Sequence, residues 1–585
     1  MNSNWRLNLI IIFFGFIGII LIARLFYWQI LAGDKLAVLA QTQQQTTIEL
    51  PAKRGEILTA DNSVLVANQP AYFSYLARKD QSLPADLAAK LAPIIFNHLT
   101  VSATPSAQLN AQEKDQLIKE TQAILETRFN DQRLVWIPIA RKLTQPERWQ
   151  LESLNVDDLF FEEEQVRLYP EASMSAHLLG FVGSNEQGKD IGLYGLEGYY
   201  QSELAGRPGI IKQEKDAFNQ PILSGQFQKQ DQKDGRQLQL NLNKSLQFLV
   251  EKKLELALEK YEAKAGSVTV MDPYSGAILA MASSPGYDPD EFTRYGPQLY
   301  LNPVIADAFE PGSVFKVFVT AAALEEKAIK PETICDICDG PIKIDKYTIN
   351  TWDNQYRPNS TVTDVLVHSD NVGMVFVGQK LGLDKFLDYF HKFGFTEKTG
   401  IDLQDESVPE AKPDKQWTYV DLATASFGQG FVITGMQLLQ AVSAIANGGQ
   451  LVTPRMVNKV IGDGKERSIP TKIKQTVISP ETAKLVASMM VTAAKSGEAK
   501  WASVKGYQIA GKTGTAQVAM GGKYAEKKTN ASFIGFAPAE SPKFAMLVTL
   551  KEPQSSQWAS ETAAPLWFSI AQDLLNHFNV VPEQN

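Results

Sequence analysis

From residue 9 to residue 23 the chain runs without a charge or an amide, and Arg24 interrupts what would continue to Ile30. At about 1.5 Å rise per residue, the uninterrupted part makes roughly 22 Å of helix and residues 9–30 about 33 Å, enough for the hydrocarbon core of a bilayer. Arg24 can snorkel to the interface, where Phe26, Tyr27 and Trp28 form an aromatic belt. A cleaved signal peptide is the alternative, but no small-x-small site follows the run. Residues 1–31 are therefore expected to be a cytoplasmic N-terminus and an uncleaved single-pass anchor in the cell (inner) membrane. Arg6 precedes the run with no acid beside it, which keeps the short N-terminus cytoplasmic and puts the bulk of the chain in the periplasm or outside the cell.

With 585 residues, two or three domains are expected. Apolar residues at 44% and charged residues at 21% exclude a disordered, collagenous or coiled-coil chain. Lys+Arg 57 against Asp+Glu 65 gives −8, so no nucleic-acid partner is expected. The five His lie far apart without metal-ligand spacing, so neither a metal nor a cofactor is expected.

The stretch 41–47 is a polar spacer, and 50–235 reads as mixed α/β without a catalytic cluster. The strongly polar run 212–237 marks a domain boundary near its end, giving domains 32–235 and 236–585. Beyond it, Leu238, Leu240 and Leu242 alternate as in a strand, and Leu246, Leu249, Val250, Leu254, Ala257, Leu258 and Tyr261 follow helical spacing. Two apolar runs, 267–271 and 277–282, flank Asp272-Pro273-Tyr274-Ser275-Gly276 as a hairpin. A helix-rich stretch fills 311–450, strands return at 507–510, 532–536 and 544–550, and a helix from Pro565 to about Phe578 closes the chain. Strands at both ends with helices between predict an α/β (α+β) domain, one antiparallel sheet covered by helices.

Three short motifs carry possible chemistry. In Glu310-Pro311-Gly312-Ser313-Val314-Phe315-Lys316, a Pro-Gly break precedes an apolar helix, with Ser313 on its first turn and Lys316 on the same face. A partly buried lysine can act as base for the serine, and the helix N-terminus offers N–H groups to an oxyanion. The plainer reading makes Ser313 an N-cap. In His368-Ser369-Asp370-Asn371, Ser369 could relay a proton and Asn371 could hold a substrate carbonyl; the plainer reading is again a helix cap. In Gly511-Lys512-Thr513-Gly514-Thr515, Lys512 offers charge, Thr513 and Thr515 hydroxyls, and Gly514 a close backbone approach. Lys-Thr-Gly also stands at 398–400; the copy at 512 is preferred because it continues as Thr515-Ala516-Gln517-Val518 and a strand pair follows closely. Residues 506–513 also fit a phosphate-loop pattern, but their middle is strand-like and no helix start follows.

In this order the three motifs resemble the active-site signature of penicillin-recognising serine enzymes. Gly266–Met281, Phe427-Gly428-Gln429-Gly430 and Ala446-Asn447-Gly448-Gly449 resemble the transpeptidase domain of that family. Arg54-Gly55-Glu56-Ile57, Arg167-Leu168-Tyr169-Pro170 and Gly195-Leu196-Glu197 resemble the pedestal motifs of class B penicillin-binding proteins, although Thr59-Ala60 stand where the family has Asp-Arg. The resemblance implies an anchored, monofunctional peptidoglycan D,D-transpeptidase. Its pedestal, 32–235, would be a non-catalytic dimerisation-type domain. Ser313 would attack the penultimate D-Ala carbonyl of a stem peptide and Lys316 would accept its proton. Ser369 and Lys512 would serve the leaving amine. Asn371, Thr513, Gly514 and Thr515 would bind substrate, and β-lactams would acylate Ser313. Partners would be D-Ala-D-Ala stem peptides, the membrane, a membrane glycosyltransferase and other wall-synthesis proteins. Ala425-Ser426-Phe427-Gly428-Gln429-Gly430 and Ser369-Asp370-Asn371-Val372-Gly373 resemble the division-type branch, which implies septal work.

A β-lactamase shares the motifs and would place a Glu near 406, but Glu410 stands where its Asn would follow. A D,D-carboxypeptidase differs only in its acceptor, and a non-enzymatic β-lactam sensor would need a signalling segment. Cys335 and Cys338 are the only cysteines; without metal partners or a redox setting they are expected as a local disulfide worth about 2 kcal/mol or less.

Overall fold

The computed structural model describes residues 4–36, 45–78, 83–84, 86–99, 109–186, 188–214, 222, 227–520 and 523–583. The first four residues of the spacer expected at 41–47, and 215–221 and 223–226 of the polar run, lie outside the described residues.

Two compact units are formed. The first takes Met1–Arg54 and Ala205–Gly235. Helix α1 (Asn4–Phe26) continues through one π turn to Leu31; its most apolar stretch has a mean hydropathy of 2.8, and none of that stretch is buried. Exposing so many large apolar side chains to water would be costly, and a bilayer removes that cost. The same unit holds a three-stranded antiparallel sheet in which Gly209–Glu214 lies between Gln45–Leu50 and Phe227–Gln230.

The second unit takes Gly55–Leu204 and Arg236–Asn585. Strand Gln237–Leu240, which begins on the last residue of the polar run, pairs in parallel with Ile57–Leu58 and antiparallel with Val457–Gly462. Segments from both sides of the run therefore share one sheet. In that sheet Val64–Ala77 pairs with both Trp136–Leu143 and Leu159–Leu168. Tyr72 and Leu76 from Val64–Ala77, with Leu91 and Ile95 from helix Leu87–Leu99, lie in a separate small core.

The site is built on a second sheet. Helix α2 (Lys244–Tyr261) opens on Asn243, whose side chain accepts from Leu246 N–H, and strands β1 (Ala265–Met271) and β2 (Ile278–Ser284) follow as the predicted hairpin. The helical layer contains α3 (Lys316–Glu325), α4 (Asn371–Leu381), α5 (Gly435–Ala446) and α6 (Pro480–Ser496). Strands β3 (Ala510–Met520), β4 (Lys523–Ala537) and β5 (Phe544–Lys551) and helix α7 (Ala563–His577) complete it. The antiparallel order is β2-β1-β5-β4-β3. Alternation along the strands divides the core. Val268, Val270, Phe533, Met546 and Val548 pack with Leu246, Val250, Leu254 and Trp567 from α2 and α7. Ile534, Phe536, Ala545 and Leu547 face the larger core with α3, α4 and α5. Trp567 is fully buried, and its indole N–H donates to Met546 O at 2.9 Å.

The strand expected at 507–510 is corrected: only Ala510 is in strand, and β3 runs on through the Lys-Thr-Gly motif to Met520. Pairing starts at Ala510 opposite Phe536, close to where β4 gives way to Pro538, which has no N–H to extend a ladder. Cys335 and Cys338, both buried, are joined as a disulfide.

Candidate active site

Gly312–Phe315 forms a single 3-10 turn that runs directly into α3. Every residue from Lys316 to Leu324 is buried, so the helix passes through the core and brings its first turn to the edge of the sheet. Gly312 sits at φ +59°, and its N–H donates to Gly428 O at 3.0 Å. A Cβ on Gly428 would lie 2.0 Å from Gly312 O, so the Phe427–Gly430 loop can back the Ser313 turn only with glycine there.

Lys316 is 0% exposed. Its Nζ donates to Ser369 O (2.6 Å) and Asn371 Oδ1 (2.8 Å) and lies 3.3 Å from Ser369 Oγ. Ser369 holds a left-handed backbone, φ +54°, which costs a non-glycine residue on the order of 1 kcal/mol. The next residue, Asp370, caps α4 by accepting from Gly373 N–H at 3.1 Å. The cap and the residues that meet the lysines are thus adjacent on one tight turn, so the capping reading does not displace the other. Asn371 Nδ2 donates one of its two N–H groups to Asn350 O at 3.2 Å.

Lys512 enters from the other side, on edge strand β3, opposite Ile534 of β4. It is 4% exposed, and its Nζ donates to Ser369 Oγ (3.1 Å) and Thr513 Oγ1 (3.1 Å). Ser369 Oγ therefore lies between two buried lysine amines. Burial first, and then the charge of Lys512, push Lys316 down to about 7, against the pull of Asp370 and Glu498. Burial also lowers Lys512, opposed by Glu498. A Cβ on Gly514 would meet Ser532 Oγ at 2.6 Å and Val314 Cγ1 at 2.7 Å, so glycine lets β3 lie against the Ser313 turn. Thr515 Oγ1 accepts from Ala559 N–H at 3.1 Å, which leaves its proton to donate elsewhere.

All eight predicted residues, Ser313, Lys316, Ser369, Asn371, Lys512, Thr513, Gly514 and Thr515, thus lie on the Ser313 turn, the Ser369 turn and β3. The second copy, Lys398-Thr399-Gly400, does not join them. It is a loop in which Thr399 N–H (2.6 Å), Thr399 Oγ1 (2.5 Å) and Gly400 N–H (3.1 Å) all donate to Glu406. That also occupies the carboxylate a β-lactamase would have needed near 406.

Sequence reading missed Glu498, whose Oε2 accepts from Thr513 Oγ1 at 3.1 Å, and the backbone groups Asn350 O and Ala559 N. Glu498 stands alone after α6 with no spacing to mark it, and backbone groups leave no mark in composition.

The family profile "Penicillin binding protein transpeptidase domain" matches residues 266–576, and "Penicillin-binding Protein dimerisation domain" matches 49–240. Stage V sporulation protein D of Bacillus subtilis is 31% identical over 99% of this chain and 87% of its own length. Peptidoglycan D,D-transpeptidase FtsI of Escherichia coli is 30% identical over 77% and 73%. Penicillin binding protein 3 of Mycobacterium tuberculosis, solved in complex with ampicillin, superposes with a TM-score of 0.69 at 25% identity, covering 92% of this chain and 98% of that one. Two buried lysines on one serine hydroxyl, within matches that span nearly the whole chain, have one reading: the chain belongs to the class B penicillin-binding proteins, the serine peptidoglycan D,D-transpeptidases.

Proposed function

We propose that this transpeptidase works through Ser313. Its Oγ attacks the penultimate D-Ala carbonyl of a stem peptide while its proton passes to Lys316, present as the free amine. As the C–N bond to the terminal D-Ala breaks, Ser369, polarised by Lys512, hands that proton to the leaving amine. An amine from a neighbouring stem then attacks the ester: the new C–N bond forms, the C–O bond to Ser313 breaks, and the proton lost by that amine passes to Ser313 Oγ. The N–H groups of Ser313 and Thr515 hold the oxyanion, Asn371 orients the substrate amide, and the terminal carboxylate lies along Thr513, Gly514 and Thr515, with the Thr515 hydroxyl donating to it. A β-lactam acylates Ser313 by the first half of this route.

The observation that carries the reading is Ser369 Oγ between Lys316 Nζ and Lys512 Nζ, at 3.3 and 3.1 Å. That is a hydroxyl bonded to a candidate base and a candidate acid together. Residues 32–235 are the pedestal and 236–585 the transpeptidase domain. The N-terminus is cytoplasmic, the rest lies outside the membrane, and septal cross-linking beside a membrane glycosyltransferase and other wall-synthesis proteins is the proposed setting. Intact-mass analysis after incubation with benzylpenicillin tests the nucleophile: one adduct is expected, absent in Ser313→Ala. An adduct that persists in the variant removes Ser313 from its role.

A further inference from the structure

Four hydrogen bonds join the core of the site to one carboxylate that no motif contains. Lys316 Nζ meets Ser369 Oγ (3.3 Å), Ser369 Oγ meets Lys512 Nζ (3.1 Å), Lys512 Nζ meets Thr513 Oγ1 (3.1 Å), and Thr513 Oγ1 meets Glu498 Oε2 (3.1 Å). Glu498 lies two residues past the end of α6, on the connection that leads to β3.

Two ammonium groups sharing one hydroxyl in a dry site repel each other, so one of them gives up its proton more easily. The contacts decide which. Lys316 has two close acceptors, Ser369 O and Asn371 Oδ1, which a neutral amine satisfies with its two N–H groups while keeping a lone pair. Lys512 is one hydroxyl away from a carboxylate. The other carboxylate acting on Lys316 is Asp370, and its Oδ1 is committed to the α4 cap. Glu498 is thus the carboxylate hydrogen-bonded into the chain itself. Since an ionised carboxylate only accepts, Thr513 must donate to it, and Thr513 Oγ1 then faces Lys512 as an acceptor.

We propose that Glu498 is a positioning residue of the transpeptidase site: it orients the Thr513 hydroxyl and holds Lys512 as the ammonium, leaving Lys316 as the free-amine base. This rests on the roles given to Ser313, Lys316 and Lys512 above. The charged groups that bear on the two amines are Glu498, Asp370 and the amines themselves.

The test is the pH profile of acylation by a fluorescent penicillin, measured on the full chain for wild type, Glu498→Gln and Glu498→Asp, with Ser313→Ala alongside. Removing a negative charge makes both ammonium groups easier to deprotonate. The bell-shaped profile of Glu498→Gln is therefore expected to move to lower pH, its alkaline limb by about one unit, which is a roughly tenfold loss of rate on that limb. Glu498→Asp, which keeps the charge, should stay close to wild type, and it carries the test if the Gln variant does not fold. A Glu498→Gln profile that keeps its wild-type position, at whatever overall rate, overturns the proposal and leaves Glu498 a structural contact. Faster acylation at every pH also overturns it, because Glu498 would then be repelling the ligand's carboxylate. Labelling that persists in Ser313→Ala would instead sink the underlying assignment of the nucleophile.

Discussion

The tripeptide Lys-Thr-Gly occurs twice, and in both places its threonine hydroxyl meets a glutamate of the protein itself. At 398–400 the chain turns around Glu406, which receives three donors and is 7% exposed. The Lys398 side chain is exposed, and Lys474 Nζ donates to its carbonyl at 2.6 Å. At 512–514 the chain is an extended sheet edge, Thr513 donates to Glu498, and the lysine is buried against Ser369. The threonine and glycine serve both settings. What differs is whether the backbone carries the lysine into the core, where losing water lowers its proton affinity, or leaves it in solvent. A motif of this length specifies hydrogen-bonding groups, and its burial is decided elsewhere.

The largest expected effect that sharpens this contrast comes from removing each lysine. Lys512→Ala should slow penicillin acylation by about 10²–10³-fold, since it deletes a preorganised charge beside Ser369. Lys398→Ala should leave the rate within about twofold and stability within about 0.5 kcal/mol, as for an exposed side chain. Comparable rate losses in the two variants would mean that the contrast is wrong.

The glycines should separate the same way with smaller effects. Gly514→Ala forces β3 off the Ser313 turn, because Ser532 Oγ and Val314 Cγ1 stand where its Cβ must go. A shift of that kind should cost about 10²-fold in acylation. Gly400 has φ +84° and no atom closer than 3.4 Å to its Cβ position. Gly400→Ala should therefore lower unfolding stability by about 1–2 kcal/mol without touching acylation. Denaturant unfolding and labelling of the two purified variants would read both.

The smallest effect is in pH. Lys316 must lose its proton to act as base, and its affinity is lowered to about 7, so the acylation rate should rise with pH through that point. At pH 6 about a tenth of the plateau rate is expected. Lys398→Ala should reproduce that limb, and a flat wild-type profile between pH 6 and 8 would remove Lys316 as the titrating base.

Much of this molecule is legible from residue order. The hairpin around Asp272–Gly276 follows from two apolar runs about turn residues, helix α2 from helical spacing, and strands β4 and β5 from short apolar runs buried on both faces. The Ser313, Ser369 and Lys512 motifs are each weak alone, yet the choice of 512 over 398 needed only the continuation of the motif and the strand pair that follows it. The strand expected at 507–510 begins late for a reason outside its own residues, the partner strand giving way to Pro538. The sheet shared by Gln237–Leu240 and Ile57–Leu58 was equally hidden, since parallel pairing across a long stretch of sequence has no local signal.

By itself the order of residues determined the apolar helix at the start, the alternation that makes the five-stranded sheet, and the set of polar groups available to the site. Tertiary structure alone decided that Lys316 and Lys512 both reach Ser369, that Lys398 does not, and that Glu498 closes the chain of hydrogen bonds. The physical reason is that periodicity and capping act between residues a few places apart. Desolvation and charge-charge coupling depend on everything packed within several ångströms, whatever its place in the sequence.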